Sequence, residues 1–456
     1  MTGHDEHDEE SGRKTRMARR VRRAWIDGFG MKAPKVPFAA GLTALILALG
    51  PHDALRAADE PPGRTLASLL DYARQNNPEY ASMRHEADAA ADRAMPAGAL
   101  PDPKFRVELM DLTRMGEQNP TLSPSRVGSA KYTVSQEIPW FGKRGLKREI
   151  AELDADGARG RARGAWSEIA ARLKTAYAQS YLLRRNERIT REILDIMTRL
   201  EKIAQARYAG GLAMQQDVIR AQVEQTAMRN DLIMLENEGN MLRARINMLL
   251  SRPANAPLGE PEALPPLPIP ARLDHAALEE HARGRNPRLF AEEAAIRAAE
   301  KKRELAYKER YPDFMLGVTP VQYRNAVKEW QVMVEFNIPL WQESRRFMER
   351  ESEAMLSAAR ARREATVGEV LSELAENLSG IEAARRTEAL ARTSLLPQAE
   401  LSFDSALAAY ENGQVDFATL LEAQQQIRKA RLAQVRAQSE AWVRLAEIER
   451  LLGEDL

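Results

Sequence analysis

The sequence has 456 residues, with 67 Lys and Arg against 66 Asp and Glu, so its net charge of +1 does not indicate a nucleic-acid or membrane-surface partner. It has no Cys, which excludes disulfides, thiolate metal sites, Cys nucleophiles and a lipidated N-terminal Cys. Aromatic residues make up only 6% of the chain, and Ala, Glu, Arg, Leu and Gln dominate its later part. This composition favours long helices over a conventional globular core.

Residues 1–58 are predicted to be an N-terminal extension with a cleaved secretory signal peptide. A cluster of arginines comes first, then an apolar run from Phe38 to Leu49, then small residues before position 59. That order is typical of a secretory signal, and the run is shorter than the about 20 residues that cross a bilayer. An uncleaved N-terminal anchor is the alternative. No later apolar stretch is long enough to span, so the mature chain is either soluble in the periplasm or crosses a membrane as β-strands.

The rest of the chain is internally duplicated. The same short motifs recur in the same order in both halves: Asn77-Pro78 with Asn286-Pro287, Pro101-Asp102 with Pro312-Asp313, Ile138-Pro139 with Ile338-Pro339, Tyr208 with Tyr410, Gly211 with Gly413, Ala221-Gln222 with Ala423-Gln424, and Leu249-Leu250 with Leu451-Leu452. Such regular punctuation indicates two structural repeats. We therefore predict a first repeat at 59–250, a Pro-rich linker at 251–271 and a second repeat at 272–454.

Each repeat is predicted to begin with a helix, at about 65–95 and 272–309, and to continue with two short strands. The predicted strands are 104–112, 129–138, 313–321 and 329–338. Their apolar and polar residues alternate, which fits either a half-buried soluble strand or a strand of a membrane barrel. Four strands are too few to enclose a lumen, but three copies of the chain would supply about twelve, a number within the range of bacterial outer-membrane barrels.

Two very long helices follow the strands, at about 143–207 and 343–409, and Pro397 is the one interruption that their pattern shows. At 1.5 Å per residue each would extend for roughly 100 Å, far beyond a globular helix. Helices of this length need neighbours along their whole length. A coiled-coil scaffold would explain the helices, but it does not explain the alternating strands before them.

Two further runs make the pattern more specific. They are QEIPWFGKR at 136–144 and YENGQVDFATLLEAQ at 410–424. With these runs and the duplicated unit, residues 60–454 resemble the TolC-like outer-membrane efflux family. The resemblance implies a mainly α fold with a small membrane β-barrel. Each protomer is a duplicated helix–strand–strand–long helix–turn–long helix unit, and the trimer forms a 12-stranded β-barrel plus a long α-helical barrel.

The resemblance also implies partners and a function. The family forms homotrimers in outer-membrane lipid that reach into the periplasm, where a periplasmic membrane-fusion adaptor connects them to an inner-membrane pump. The first run is most similar to the heavy-metal branch, the CzcC-like and CusC-like ducts of resistance-nodulation-division (RND) tripartite systems. The expected function is therefore a passive exit duct for heavy-metal cations, with no enzymatic activity, no cofactor, no resident metal site and no nucleic-acid partner.

Three alternatives remain at the sequence level. A duct of the same family could export drugs and other organic compounds, or polypeptides. A protein of a different class, a soluble periplasmic coiled-coil scaffold, would share the long helices. An enzyme is not indicated, because no phosphate-binding loop, nucleophile elbow or metalloprotease motif is present.

The resemblance assigns candidate functional residues to the periplasmic end of the long helices. The predicted gate or pore residues are Tyr410, Asp416, Thr419 and Glu422. The predicted tip-turn and adaptor-docking residues are Tyr208, Gly211, Leu212, Asp217, Gly413 and Val415. Threefold symmetry would turn an axial carboxylate into a ring of three, which favours cations. The alternatives are that the acids are solvated carboxylates near a helix N-terminus and that the glycines serve only the turn conformation.

Overall fold

The computed structural model describes residues 61–456. The predicted extension and signal peptide at 1–58 lie outside the described residues. Within the described range, no helix combines the length and the apolar character needed to cross a lipid bilayer.

The first repeat contains two strands and a pair of long antiparallel helices. Its elements are α1 (Leu66–Asn76), α2 (Pro78–Asp92), α3 (Ala94–Ala97), β1 (Lys104–Met110), β2 (Ser129–Ile138), α4 (Lys143–Ala209) and α5 (Gln215–Leu249). Helix α4 has 67 residues, which corresponds to about 100 Å at 1.5 Å per residue.

The second repeat has the same order of elements. They are α6 (His275–Arg285), α7 (Pro287–Lys308), β3 (Phe314–Tyr323), β4 (Ala326–Phe336), α8 (Gln342–Leu390), α9 (Leu396–Glu411) and α10 (Phe417–Leu452). A 3₁₀ turn at Pro270–Leu273 precedes α6, and a π-helical turn at Ala391–Leu395 joins α8 to α9. The predicted mainly helical fold with a small antiparallel sheet is confirmed, whereas the trimer stays a prediction.

The first helix of each repeat is broken where the sequence predicted it to be continuous. The predicted helices at about 65–95 and 272–309 each divide at an asparagine, Asn77 or Asn286, that is followed by proline. Proline has no N–H to donate, and it pushes the residue before it out of the helical conformation. The duplicated Asn-Pro pair is therefore a helix boundary.

Each of these asparagines also caps the next helix and ties it to the end of its repeat. The Asn77 side chain accepts a hydrogen bond from the Tyr80 N–H at 3.0 Å and donates one to the Leu249 carbonyl at 2.8 Å. Asn286 donates the equivalent bond to the Leu451 carbonyl at 2.7 Å. Because both asparagines are buried, these bonds satisfy polar groups that water does not reach.

The four strands form one antiparallel sheet in the order β1-β2-β3-β4. Its pairing aligns apolar side chains into rows across all four strands, such as Phe105, Val134, Val318 and Val332. Members of this row are exposed, with Phe105 at 67% and Val332 at 78%. The opposite face carries mostly polar residues, including Arg106, Thr133, Thr319 and Gln331. In this chain β1 and β4 each have one unpaired edge.

A buried ion network connects the sheet to the long helix α4. Lys143 is 1% exposed, and its ammonium group contacts Glu309 at 3.2 Å, Asp313 at 3.0 Å and the Tyr311 carbonyl at 3.1 Å. The Trp140 N–H donates to the same Asp313 carboxylate at 2.7 Å. A buried charge is stable only when it is paired, so Lys143 has to stay beside these acceptors. Because Lys143 is the first residue of α4, the network fixes the direction in which α4 leaves the sheet.

The long helices pack side by side in a consistent order. Nearest the sheet, α4 packs between α2 and α7, and α7 also packs against α8. Farther along, α4 packs between α5 and α10, and α10 also packs against α8 and α9. The long helices therefore follow the order α5, α4, α10, α8. The two outer helices of this order keep exposed apolar residues: Ile233 and Met241 on α5, and Met355 on α8.

Candidate functional site

The end of the molecule far from the sheet consists of two adjacent helix hairpins. The turn between α4 and α5 contains Gly211 at φ +70°, and the turn between α9 and α10 contains Gly413 at φ +74°. A side chain is strained at such angles, so glycine suits both turns. A shared apolar cluster, with Met197, Leu420 and Ile427 among its members, holds the two hairpins together. We call this end of the molecule the tip.

Tyr410 connects the two hairpins at the tip. It is 2% exposed, and its hydroxyl donates to the Asp217 carboxylate in the first turn of α5 at 3.3 Å. Its ring meets the buried Phe417 ring edge-on at 5.5 Å. The structure therefore brings together Tyr410 and Asp217, two of the predicted residues from different repeats.

Burial, followed by the nearby Asp217 carboxylate, raises the pKa of Tyr410 to about 12, while Arg207 opposes this shift. The hydroxyl therefore keeps its proton at physiological pH and acts as a hydrogen-bond donor. Tyr410 therefore stays a donor to the Asp217 carboxyl group under those conditions.

Arg207 is a tip residue that the sequence analysis missed. Its guanidinium lies over the Tyr410 ring, with 5.0 Å between Cζ and the ring centroid, and it donates to the carbonyls of Glu411 and Leu212. It therefore bonds to both hairpin turns. The second repeat has Ala409 at the matching position, so the duplication gave no signal for this residue.

The predicted acids at the tip differ in their surroundings. Asp416 caps α10, where its carboxylate accepts bonds from the Thr419 N–H at 2.9 Å and the Thr419 hydroxyl at 2.7 Å. These bonds lower the pKa of Asp416. Glu422 is exposed and makes no ion pair within residues 61–456, and it lines a groove with Ile219 and Val223. Asp416 thus caps the first turn of α10, whereas the Glu422 carboxylate faces the groove without an ion pair in the described residues.

The two turns offer different surfaces to a partner. In the first turn Leu212 is 70% exposed, and Tyr208 beside it is half exposed. Met214, which the sequence analysis did not single out, is exposed to a similar degree. Val415 in the second turn is instead partly buried against the shared cluster. The exposed apolar surface of the tip therefore belongs mainly to the first hairpin.

The part of the chain that the structure describes contains no group of three His, Asp or Glu side chains placed to hold a metal ion.

The family model described as outer membrane efflux protein matches residues 69–250 and 278–454. The chain is 22% identical over 400 residues to the cobalt-zinc-cadmium resistance protein CzcC of Cupriavidus metallidurans, across 85% of this chain and 90% of that protein.

Solved structures of outer-membrane channels, OprN and CusC among them, share its fold. The outer-membrane channel OprN superposes with a TM-score of 0.72 at 20% identity, covering 92% of this chain and 98% of that one. CusC, whose structures describe transmembrane channel formation, superposes with a TM-score of 0.74 at 14% identity, covering 85% and 92% of the two chains. The sequence-based resemblance is confirmed: this chain belongs to the outer membrane efflux protein family, whose members are located in the outer membrane.

Proposed function

We propose that this protein is the exit duct of a tripartite efflux system and that it passes heavy-metal cations passively from a pump and adaptor to the outside. The observation that carries the choice of substrate is the similarity to a cobalt-zinc-cadmium resistance protein, which extends over most of both chains. A passive duct needs no tight metal site, because it must release what enters it.

The contacts between the repeats support a closed homotrimer. Within the chain α10 packs against α4. The equivalent partner of α5 is α8, and in a closed trimer α5 would pack against the α8 of another copy. In the same way α7 packs between α4 and α8, whereas α2 packs on α4 alone and has a free side. Because β1 and β4 also keep free edges, the same interface joins strands and helices of neighbouring copies.

The sheet supports the proposed place of this trimer in lipid. Its apolar rows run across all four strands on one face and are exposed. A continuous exposed apolar face that extends over four strands is unfavourable in water and favourable against lipid. Three sheets joined edge to edge would close into a barrel with that face outward and the polar face toward the lumen.

At the tip we propose a gate in which Tyr410, bonded to Asp217, keeps the hairpins together, and in which Asp416, Thr419 and Glu422 line the passage. The exposed first turn, with Leu212 and Tyr208, supports a docking surface for the periplasmic adaptor, and Gly211, Gly413 and Val415 shape the two turns. The pump is then an inner-membrane RND protein.

Deletion of the gene tests the substrate class. We expect the deleted strain to lose tolerance to cobalt, zinc and cadmium, or to copper and silver, and to regain it when the gene is restored. Unchanged metal tolerance together with a loss of tolerance to organic drugs would overturn the metal assignment. Recovery of the protein only in the soluble periplasmic fraction would overturn the duct itself.

A further inference from the structure

The wall formed by α4, α5 and α10 contains a groove of about 710 Å³ midway along the helices. Its floor consists of leucines from all three helices: Leu182, Leu183, Leu235, Leu242 and Leu432. Its volume is in the range of sites that hold drug-sized molecules. We call it the leucine groove.

The leucine groove lies on the face of the wall opposite the linker. Leu182, Glu238 and Arg436 line it, one from each helix. Residues two positions farther along point the other way, because two residues of a helix rotate by about 200°. One of them, Arg184, pairs with Glu260 of the linker, and another, Gln438, lines a separate cavity with linker residues. The linker and the leucine groove are therefore on opposite sides.

In the proposed duct this geometry places the leucine groove inside. A linker that ran along the inner wall would obstruct the passage, so it belongs outside the tube and the groove opens into the lumen.

The groove also stays open when the trimer closes. In the duplicated sequence Met234 and Glu238 of α5 correspond to Arg436 and Glu440 of α10, which are exposed although α10 has both of its neighbours in this chain. The partner that packs beside α5 is accordingly not expected to cover the groove.

The charged rim of the leucine groove favours an anion. Arg428 pairs with Asp231, and its Nε is buried without a hydrogen-bond partner in the described part of the chain. Arg245 and Arg436 line the rim and form no ion pair within residues 61–456, and the remaining lining carboxylate is Glu238. Two unpaired guanidinium groups thus face one unpaired carboxylate. Guanidinium groups bind carboxylates, sulfonates and phosphates through paired hydrogen bonds.

We propose that the leucine groove is a transient binding site for amphipathic organic anions that pass through the duct. The apolar body of such a molecule lies on the leucine floor and its acidic group contacts Arg245 and Arg436. This inference rests on the proposed duct, and it assigns to the duct wall a site at which such anions pause.

Block of single-channel current in planar bilayers tests the proposal with the purified full-length protein. Taurodeoxycholate, a steroid sulfonate, is the probe, and cetyltrimethylammonium is its cationic counterpart. We expect submicellar taurodeoxycholate to reduce the current. The double variant Arg245→Gln/Arg436→Gln should raise its half-blocking concentration about tenfold, as the loss of one or two charge-assisted contacts does.

Arg272→Gln is the control, since it makes the same type of substitution once, in the 3₁₀ turn that follows the linker and away from the groove. It should leave the half-blocking concentration unchanged. Equal block of the wild type and the double variant, or equal block by the cationic detergent, would overturn the leucine groove while leaving the duct intact. Absence of any channel would overturn the duct and the groove with it.

Discussion

The tip depends on a few side chains whose bonds cross from one repeat to the other. Tyr410 donates to Asp217, and Arg207 lies over the Tyr410 ring while bonding to the carbonyls of both turns. Away from the turns, the hairpins are joined by the shared apolar cluster and by polar contacts such as Arg428 to Asp231 and Gln425 to Glu224. Because apolar packing is non-directional, the polar bonds at the tip help to align the two turns.

Replacing Tyr410 by Phe should weaken the tip without disturbing its packing. The variant keeps the ring against Phe417 but leaves the Asp217 carboxylate without this donor, a loss of about 1–3 kcal/mol for a bond to a charged group. We expect a lower midpoint of thermal unfolding and, in planar bilayers, a larger conductance. A conductance equal to that of the wild type would argue against a role for this bond in closure.

The stability difference between the wild type and Tyr410→Phe should depend on pH, because folding raises the pKa of Tyr410 from 10.0 to about 12. A group whose pKa is raised by folding contributes stability that is fully present below its unfolded pKa and is lost as the pH rises through the folded value. The gap in unfolding midpoint between wild type and Tyr410→Phe should therefore be constant near neutral pH and shrink above about pH 10. A gap that closes between about pH 5 and 8 would point to a different titrating group.

Sequence analysis reached part of this network and missed the rest for a definable reason. Tyr410 and Asp217 were found because the duplication and the family resemblance marked their positions. Arg207 has no counterpart in the second repeat, and its role depends on how two hairpins distant in sequence meet. Such tertiary contacts leave no local pattern.

At the scale of single elements, close packing depends on glycine at a particular place in α4. A Cβ atom on Gly160 would lie 3.0 Å from both the Ala291 Cβ and a Phe290 ring carbon of α7. Gly145, in the same helix, has nothing within 4 Å of an added Cβ. The two glycines thus differ in packing while sharing a helical backbone.

Alanine at these two positions should change stability in opposite directions. Gly160→Ala forces α4 and α7 apart and should destabilise the fold by about 1–3 kcal/mol. Gly145→Ala should stabilise it by about 0.5–1 kcal/mol, because alanine reduces the entropy of the unfolded chain. Guanidinium unfolding followed by circular dichroism measures both, and a stabilising Gly160→Ala would show that the helix contact tolerates expansion.

The helix boundaries show how far local sequence rules extend. Proline at 78 and 287 broke helices that apolar periodicity alone predicted to be continuous. Pro397 was visible as an interruption, but the π-helical turn at Ala391–Leu395 was not, because it keeps the helix continuous while widening one turn. Between Trp341 and Tyr410 the second repeat is one residue longer than the first is between Trp140 and Tyr208, and a wide turn absorbs one extra residue.

For the whole molecule, the duplication predicts an interface that a single chain cannot display. The Ser439 hydroxyl of α10 donates to the Ala178 carbonyl of α4 at 3.0 Å. The tyrosine pair and the glycine pair at the tip are each separated by the same number of residues. By that separation, the first-repeat counterpart of Ser439 is Asn237 on α5. In the matching of the two long helices, the buried Leu173 of α4 corresponds to the buried Leu374 of α8. Ser379 of α8 is then the counterpart of Ala178 of α4. Asn237 and Ser379 are both exposed here.

Cysteines at Asn237 and Ser379 in one chain should therefore link neighbouring copies. If three chains close into a ring, the pair comes within the about 4.4–6.8 Å between Cα atoms that a disulfide requires, and mild oxidation gives covalent trimers on a non-reducing gel. The chain has no cysteine of its own, so no background bond interferes. The matched pair Ala178→Cys/Ser439→Cys lies within one chain and should give an intramolecular bond at monomer mass. Monomers from both pairs, with the intramolecular bond formed only in the second, would mean that α5 and α8 of different copies do not meet, and the ring would then have to be abandoned.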